Sequence, residues 1–299
     1  LEYCHIGILA KTIFGMGKGY ALITGASRGI GKAIAEECAQ RGYHLALISL
    51  TNESLSSLAA EIASKYKVDT RFFETDLSAY DAADTVMDWV IEEAFPVSML
   101  VNNAGLGSVG PLMETNQDLH QVMLNLNMQT PYHLIRKLLP ILKQQEKAYI
   151  INISSQAAFF PIPFKATYAA TKVFLLNLSL ALEYELRGTN IHVSAVCPSG
   201  VKTSPAIRKR IESAGFLSRQ VALEPEEVAE ISLRKTFRGK RFIVPGKLNT
   251  LSYWMSSMMP DFIRMGFISK AVKKNMAALE AEKAAAAKSE EKRDSVKTN

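Results

Sequence analysis

"YALITGASRGIGKAIA", residues 20–35, is an apolar run interrupted by Gly25, Gly29 and Gly31 that then resumes with helical spacing. A side chain at any of the three glycines would block a tight turn, the approach of a diphosphate, or close packing of the helix on the strand. The helix start offers free N–H groups to an anion. The spacing is G-x-x-x-G-x-G rather than G-x-G-x-x-G, and glycine-rich turns also arise for steric reasons alone, so this segment by itself leaves both readings open.

The same alternation continues down the chain. "HLALIS", "TRFFET", "VSMLVNNAG", "AYIINIS", "IHVSAVCP" and "RFIVPG" read as strands after "YALIT". Helical patterns fill the gaps: to about Arg41, Asn52 to Tyr66, Ala79 to Ala94, Asn116 to Leu142 as one long helix or two, and Ala166 to Leu186. Seven strands joined by right-handed helical crossovers predict an α/β fold, a doubly wound parallel sheet with helices on both faces. Between Gly200 and Leu223 no strand is convincing, and a lid or a plain surface loop fits equally. "EPEEVAEISLRKT" restarts order, with Pro225 and neighbouring acids suited to a helix N-terminus. The predicted organisation is an extension over 1–18, a domain over 19–247 with a substrate loop at 200–223, an apolar Met-rich segment over 248–276, and a mobile charged tail over 277–299.

Composition narrows the class. The 299 residues are 48% hydrophobic with a net charge of +6, enough chain for a sizeable core. Much of the Lys and Arg lies after residue 264 or is interleaved with acid, without a basic aromatic stripe, which argues for solvated surface and against nucleic acid. The three cysteines, Cys4, Cys38 and Cys197, are scattered, which suggests neither a disulfide framework nor a metal site and favours the reducing cytoplasm. No run of about 18 apolar residues predicts a spanning helix. "IGILAKTIF" is short and broken by Lys11, so it is no convincing secretory signal, and the native start is expected at Met16.

Three strand ends carry candidate chemistry. Asp76, after the third strand, is placed to meet an adenine amine or to cap the next helix, and the two roles are compatible. The small residues of "NNAG", Asn102 to Gly105, let backbone approach a sugar or merely turn a corner. "YAATK" puts Tyr168 and Lys172 four apart on one helical face, where an ammonium lowers the pKa of a phenol from about 10 by favouring phenolate. Ser155 closes the fifth strand thirteen residues earlier, so its hydroxyl can converge with Tyr168; Ser154 competes, because neighbouring strand residues face opposite ways.

In order and spacing, T-G-x-x-x-G-x-G at Thr24 to Gly31, N-N-A-G at 102–105, "NMQT", "NISS", Y-x-x-x-K and "CPSGVKT" resemble the short-chain dehydrogenase/reductase family over roughly residues 19–246. The resemblance implies a single Rossmann-type domain, a nicotinamide cofactor and a tetrad of Asn127, Ser155, Tyr168 and Lys172. It further implies that Tyr168 passes a proton to or from the carbonyl oxygen as hydride moves, and that Lys172 grips the ribose. Ser155 would orient the carbonyl, and Asn127 would support a water. The implied cofactor contacts are Gly25, Ser27, Arg28, Gly29, Ile30, Gly31, Asp76, Leu77, Asn103, Ala104, Gly105, Tyr168, Lys172, Pro198, Val201 and Thr203. One departure stands out: the family's P-G-x-V-x-T is here Pro198, Ser199, Gly200, Val201, Lys202, Thr203, which puts the backbone angles of that loop in doubt.

Cofactor choice turns on charge. The second strand's end offers Ser49, Leu50 and Thr51 rather than a carboxylate, and Arg28 can pair with a 2′-phosphate, so NADP(H) is favoured over NAD(H). Trp254, Met255, Met258, Met259, Phe262 and Phe267 suggest an adaptable apolar surface for a lipophilic 3-oxoacyl or steroid-like carbonyl. Packing on the protein's own core or a sister subunit, or contact with a membrane surface, are the other readings of that segment. "VFLLNLSLALEYEL" is apolar nearly all round and suits burial against the sheet and a second subunit in a homodimer or homotetramer. The main rivals are a dinucleotide-binding sensor or scaffold without turnover and an epimerase or dehydratase.

Overall fold

The computed structural model describes residues 18–213, 216–259, 265, 266, 268–270 and 272. In chain order the elements are β1 (Tyr20–Thr24), α1 (Gly29–Gln40), β2 (His44–Ser49), α2 (Leu55–Tyr66), β3 (Thr70–Glu74), α3 (Ala82–Glu92), β4 (Val97–Asn102) and α4 (Gln117–Leu124). A π-helical turn at Asn125–Gln129 leads into α5 (Thr130–Lys143), then β5 (Ala148–Ile153), a 3-10 turn (Gln156–Ala158), α6 (Ala166–Glu185) and β6 (Ile191–Val196). The chain continues through α7 (Pro205–Ser213), α8 (Phe216–Val221), α9 (Pro225–Phe237), β7 (Phe242–Ile243) and α10 (Lys247–Ser257). All seven strands are parallel, in the order β3-β2-β1-β4-β5-β6-β7.

Alternation along the strands sorts the core into two layers. Ala21, Ile23, Leu45, Leu47, Met99 and Val101 face α1, α2 and α9, with Cys38, Leu58 and Leu233 filling between. Tyr20, Leu22, Ala46, Ile48 and Leu100 face the other way, onto α3 and α5 through Val86, Val90, Leu134 and Leu138. Order reverses at β1, between β2 and β4, so the carboxyl ends of these strands diverge into a crevice, the place where open α/β sheets take ligands. Among the described residues no helix is long and apolar enough to cross a membrane.

The expected elements are present with shifted bounds. The second helix begins at Leu55 rather than Asn52, because Asn52 and Ser54 take left-handed φ of 66° and 55° and turn the chain first. The helix expected over 116–142 is broken by the π turn, at which Thr130 N–H donates to the Asn125 carbonyl. Pro131 has no N–H, so the Asn127 carbonyl lacks its α-helical donor. Residues 200–223, for which a lid or surface loop was expected, form α7 and α8. A bridge from Val201 to Leu223 closes the pair at its base, with Leu223 N–H donating to Gly200 O at 3.1 Å. Ser199 needs no left-handed backbone, and its hydroxyl donates to Val221 O at 2.9 Å, so the departure from the family pattern costs the loop nothing. The expectations for residues 1–17 and 277–299, and most of those for 260–276, lie outside the described residues.

Candidate active site

The glycine turn is built against "NNAG". Asn103 Nδ2 donates to the carbonyls of Thr24 and Gly25 at 2.9 and 3.0 Å, and Thr24 Oγ1 accepts from the Asn103 and Ala104 amides at 3.0 Å each. Gly25 sits at φ +64°, where an added Cβ would stand 2.9 Å from Ala104 Cα. At Gly31 a Cβ would lie 2.1 Å from the Gly25 carbonyl oxygen, and at Gly29 2.9 Å from the Thr203 side chain. Of the three steric reasons open at the level of sequence, close packing therefore applies at every one of these positions. Gly31→Ala is expected to lower stability by about 2–3 kcal/mol and to weaken dinucleotide binding at least about tenfold, measured by urea unfolding and fluorescence titration. An alanine variant with parental binding would contradict this packing.

Above the turn, α1 begins with Arg28 as an extended N-cap, with no side-chain cap and no acid in the first turn, leaving its N–H groups to a ligand. A cleft of about 720 Å³ opens there, lined by Gly25, Ser27, Arg28, Gly29, Ile30, Asp76, Leu77, Asn103, Ala104, Gly105 and Thr203 of the expected contacts. Its volume, uncapped helix end and glycine floor fit a dinucleotide. Gly31 packs beneath the cleft, Pro198 and Val201 are buried away from its wall so that of the "CPSGVKT" contacts only Thr203 reaches it, and Tyr168 and Lys172 do not line it, Lys172 lying behind Gly105. Asp76 lines the cleft, and its Oδ1 accepts from the Ser78 amide and hydroxyl at 2.8 Å each; it does not cap α3, which begins at Ala82 with Asp81 as N-cap, because the chain turns at Ser78 first.

Glu53 was missed. Its carboxylate accepts from the Ser27 hydroxyl and lies 3.2 Å from Arg28 Nη2, inside the cleft lining. The expectation that no anion stands near a 2′-phosphate is thus corrected: the left-handed Asn52 and Ser54 fold the chain back and return Glu53 to the glycine turn. The signal was there in "TNES", since Asn and Ser beside an acid before a helix favour such a turn. Val122, Leu126, Ser204 and Ile207 also line the cleft and lay outside any motif.

At the inner end, Gly105 and Gly107 bring the β4 exit onto the Tyr168 helix. A Cβ on Gly105 would be 3.2 Å from Lys172 Nζ, and one on Gly107 3.1 Å from the Tyr168 ring. Ser155 caps the 3-10 turn, accepting from Ala157 N–H at 3.1 Å, and hydrogen-bonds the Tyr168 side chain. Ser154 turns the other way, its hydroxyl donating to the Lys172 carbonyl at 2.8 Å, as strand alternation requires. Lys172 is buried; its Nζ donates to the Ile153 carbonyl at 2.9 Å and stands 5.9 Å from the Tyr168 ring centroid. Asn127, fully buried, holds Leu106 from both sides: Oδ1 accepts from its N–H and Nδ2 donates to its carbonyl, each at 2.9 Å. Nδ2 also donates to Thr171 Oγ1 at 3.0 Å, tying the π turn to α6.

The electrostatics revise one expectation. Burial raises the Tyr168 phenol above its ordinary value, with the Ser155 hydrogen bond only opposing it, and burial lowers Lys172 to about 8. Exclusion of water outweighs the favourable neighbours, so the net shift of the phenol is upward, and the ammonium is directed to the Ile153 carbonyl. The phenol is accordingly protonated at neutral pH. Beside the start of α6 a second hollow of about 320 Å³ is walled largely by Pro111, Leu112, Pro163 and Phe164, with His120 and Lys165.

A sheet of this order, a glycine turn closed on "NNAG", and a serine, tyrosine and lysine brought together behind Gly105 define an α/β protein of Rossmann-type architecture. The chain belongs to the short-chain dehydrogenase family, whose model matches residues 19–213. It is 36% identical over 200 residues to a very-long-chain 3-oxoacyl-CoA reductase of Macaca fascicularis, covering 65% of this chain and 63% of that one. The solved structure of a 7beta-hydroxysteroid dehydrogenase aligns with a TM-score of 0.77 at 25% identity, over 87% of this chain and 98% of its own. A Sphingobium yanoikuyae short-chain dehydrogenase in complex with NADPH aligns at 0.68 and 28% identity, over 81% of this chain and 96% of its own.

Proposed function

We propose that the protein is an NADP(H)-dependent oxidoreductase that interconverts a carbonyl and a secondary alcohol on a lipophilic substrate, 3-oxoacyl or steroid-like. The carrying observation is the buried, protonated Tyr168 hydroxyl in contact with Ser155, one helical turn from Lys172, whose Nζ lies against Gly105 in the wall of a dinucleotide-sized cleft. A reduced nicotinamide bound in that cleft supplies the hydride. Ser155 and Tyr168 together hold the carbonyl oxygen, and Tyr168 gives it the proton that turns the developing alkoxide into an alcohol. Lys172 steadies the phenolate left behind and is placed, with Gly105 beside it, to hold the cofactor ribose. Asn127 keeps Leu106, and with it the β4 exit, in register with α6. The apolar hollow at Pro111, Leu112, Pro163 and Phe164 suits the substrate's hydrocarbon part. The names of the 3-oxoacyl-CoA reductase and hydroxysteroid dehydrogenase relatives point to the same kind of substrate. A second copy packing along α6 would complete a homo-oligomer.

A panel of ketones, long-chain 3-oxoacyl thioesters and ketosteroids, followed at the nicotinamide absorbance with NADPH and NADH, tests the reading. Cofactor binding without turnover on any of them would favour a dinucleotide-binding sensor instead. The preference for NADP(H) is supported by Arg28, 74% exposed at the cleft, and by Leu50 where an acid would select NAD. Glu53 works against it by occupying Arg28 and adding a like charge. Glu53→Gln is therefore expected to tighten NADPH about tenfold and leave NADH nearly unchanged in fluorescence titrations. Weaker NADPH binding in that variant would mean that Glu53 serves the cofactor rather than opposes it.

A further inference from the structure

The helix α10 has two unlike faces. Its inner face fastens to the substrate end of the domain: Asn249 Nδ2 donates to the Val221 and Pro245 carbonyls at 2.9 and 3.0 Å, and Thr250 Oγ1 donates to Gly246 O at 2.9 Å. The Tyr253 ring lies 4.4 Å from that of Phe159, just past the 3-10 turn that Ser155 caps, and 5.3 Å from that of Phe242. Positions 249, 250 and 253 are therefore committed to the fold, and the opposite positions are not. Leu248, Leu251, Met255 and Met258 recur at steps of three and four, 52%, 56%, 65% and 84% exposed, with Trp254 beside them at 61%. Five of the twelve large apolar side chains exposed among the described residues thus fall on one stripe about three turns long. Of the side chains expected to line a substrate surface or pack on the core, Trp254, Met255 and Met258 are exposed, Met259 is half-buried, and Phe262 and Phe267 lie outside the described residues.

The charge of the sequence that carries this stripe is one-sided. From residue 247 to 276 the sequence carries Lys247, Arg264, Lys270, Lys273 and Lys274 against the single acid Asp261, a net +4 out of the whole chain's +6. An apolar stripe with a tryptophan, in a stretch of sequence rich in lysine and arginine, is the composition of a helix that lies in the boundary between lipid headgroups and acyl chains. A second copy of the chain would bring the same positive segment against itself, which like-charge repulsion opposes.

We infer that the outer face of α10 and of the turn that follows it, Leu248, Leu251, Trp254, Met255 and Met258, is a docking surface for an anionic lipid bilayer. Docked there, the described part of the chain rests on the membrane surface, with α8 and the Phe159 end of the site close to the lipid. If the proposed function holds, a lipophilic carbonyl then enters directly from the bilayer. The binding itself requires neither cofactor nor turnover, so it stands or falls separately from that reading.

The test is flotation of the full chain with phosphatidylcholine vesicles, with and without 30% phosphatidylglycerol. The expected result is binding to the anionic vesicles, at least about tenfold weaker on the neutral ones and in high salt. The double variant Leu251→Glu with Met255→Glu, at exposed positions outside the cleft, is expected to lose binding at least about tenfold while NADPH binding and thermal unfolding stay parental. Trp emission is expected to shift to the blue on anionic vesicles, and Trp254→Phe to remove the shift while Trp89 remains. A parent protein that stays off anionic vesicles overturns the inference. So does a double variant that floats like the parent, since another part of the chain would then hold the lipid. A double variant that changes the oligomeric state of a protein indifferent to vesicles would assign the stripe to a second copy instead, and would equally overturn it.

Discussion

Tyr168→Phe lowers carbonyl reduction by about a thousandfold or more and leaves NADPH affinity within about threefold of the parent. The substitution removes one hydroxyl and keeps the ring that Gly107 packs against, so the cleft and the β4 exit retain their shape. What is lost is the proton donor in contact with Ser155, while Lys172 is directed to the Ile153 carbonyl and the Asn127 side chain is engaged with Leu106 and Thr171. Steady-state rates beside a fluorescence titration separate the two effects. A variant that turns over within tenfold of the parent would remove the tyrosine from the chemistry and the proposed mechanism with it.

Lys172→Met has effects of opposite sign on activity and stability. Reduction falls by about a hundredfold or more, because the phenolate formed on proton transfer loses its neighbouring cation. Stability rises at neutral pH. Burial depresses the folded-state value of Lys172 to about 8 from the ordinary 10.5, so the folded protein carries this charge at a penalty wherever the ammonium is retained, which is below pH 8. Between pH 8 and 10.5 the unfolded chain binds more protons than the folded one, and the penalty fades as pH rises through that window. Set against the lost hydrogen bond to the Ile153 carbonyl, the net gain of the methionine variant is on the order of 2 kcal/mol at pH 7. It shrinks toward zero, or reverses, above pH 10.5. Urea unfolding of parent and variant at pH 7 and pH 10.5 reads both limbs; a gain that does not shrink with pH would mean that desolvation of the amine is not its source.

Strand cores were legible because their signal is local: "YALIT" and "HLALIS" coincide with β1 and β2, being short β-rich runs bounded by glycine or polar turns. Bounds slipped where backbone geometry overrides composition. Asn52 and Ser54 look like the start of a helix and instead turn left-handed before it, which moved Glu53 from an unremarked surface acid into the cleft. The π turn at Asn125–Gln129 has no compositional mark beyond Pro131. The expected lowering of the Tyr168 pKa failed for a related reason: helical spacing shows that an amine is one turn away, and says nothing of how far water is excluded or which carbonyl claims the amine.

By itself the sequence determined the sheet, the glycine turn and the serine, tyrosine and lysine that meet beyond it, since each rests on periodicity or on residue types at short spacing. Tertiary structure alone decided that Gly31 exists for the Gly25 carbonyl, that Glu53 shares Arg28 with any incoming phosphate, and that the apolar side chains of α10 face outward. Those three facts join residues across turns or concern which side of a helix is covered, and burial and charge proximity are properties of the packed chain that no local stretch carries.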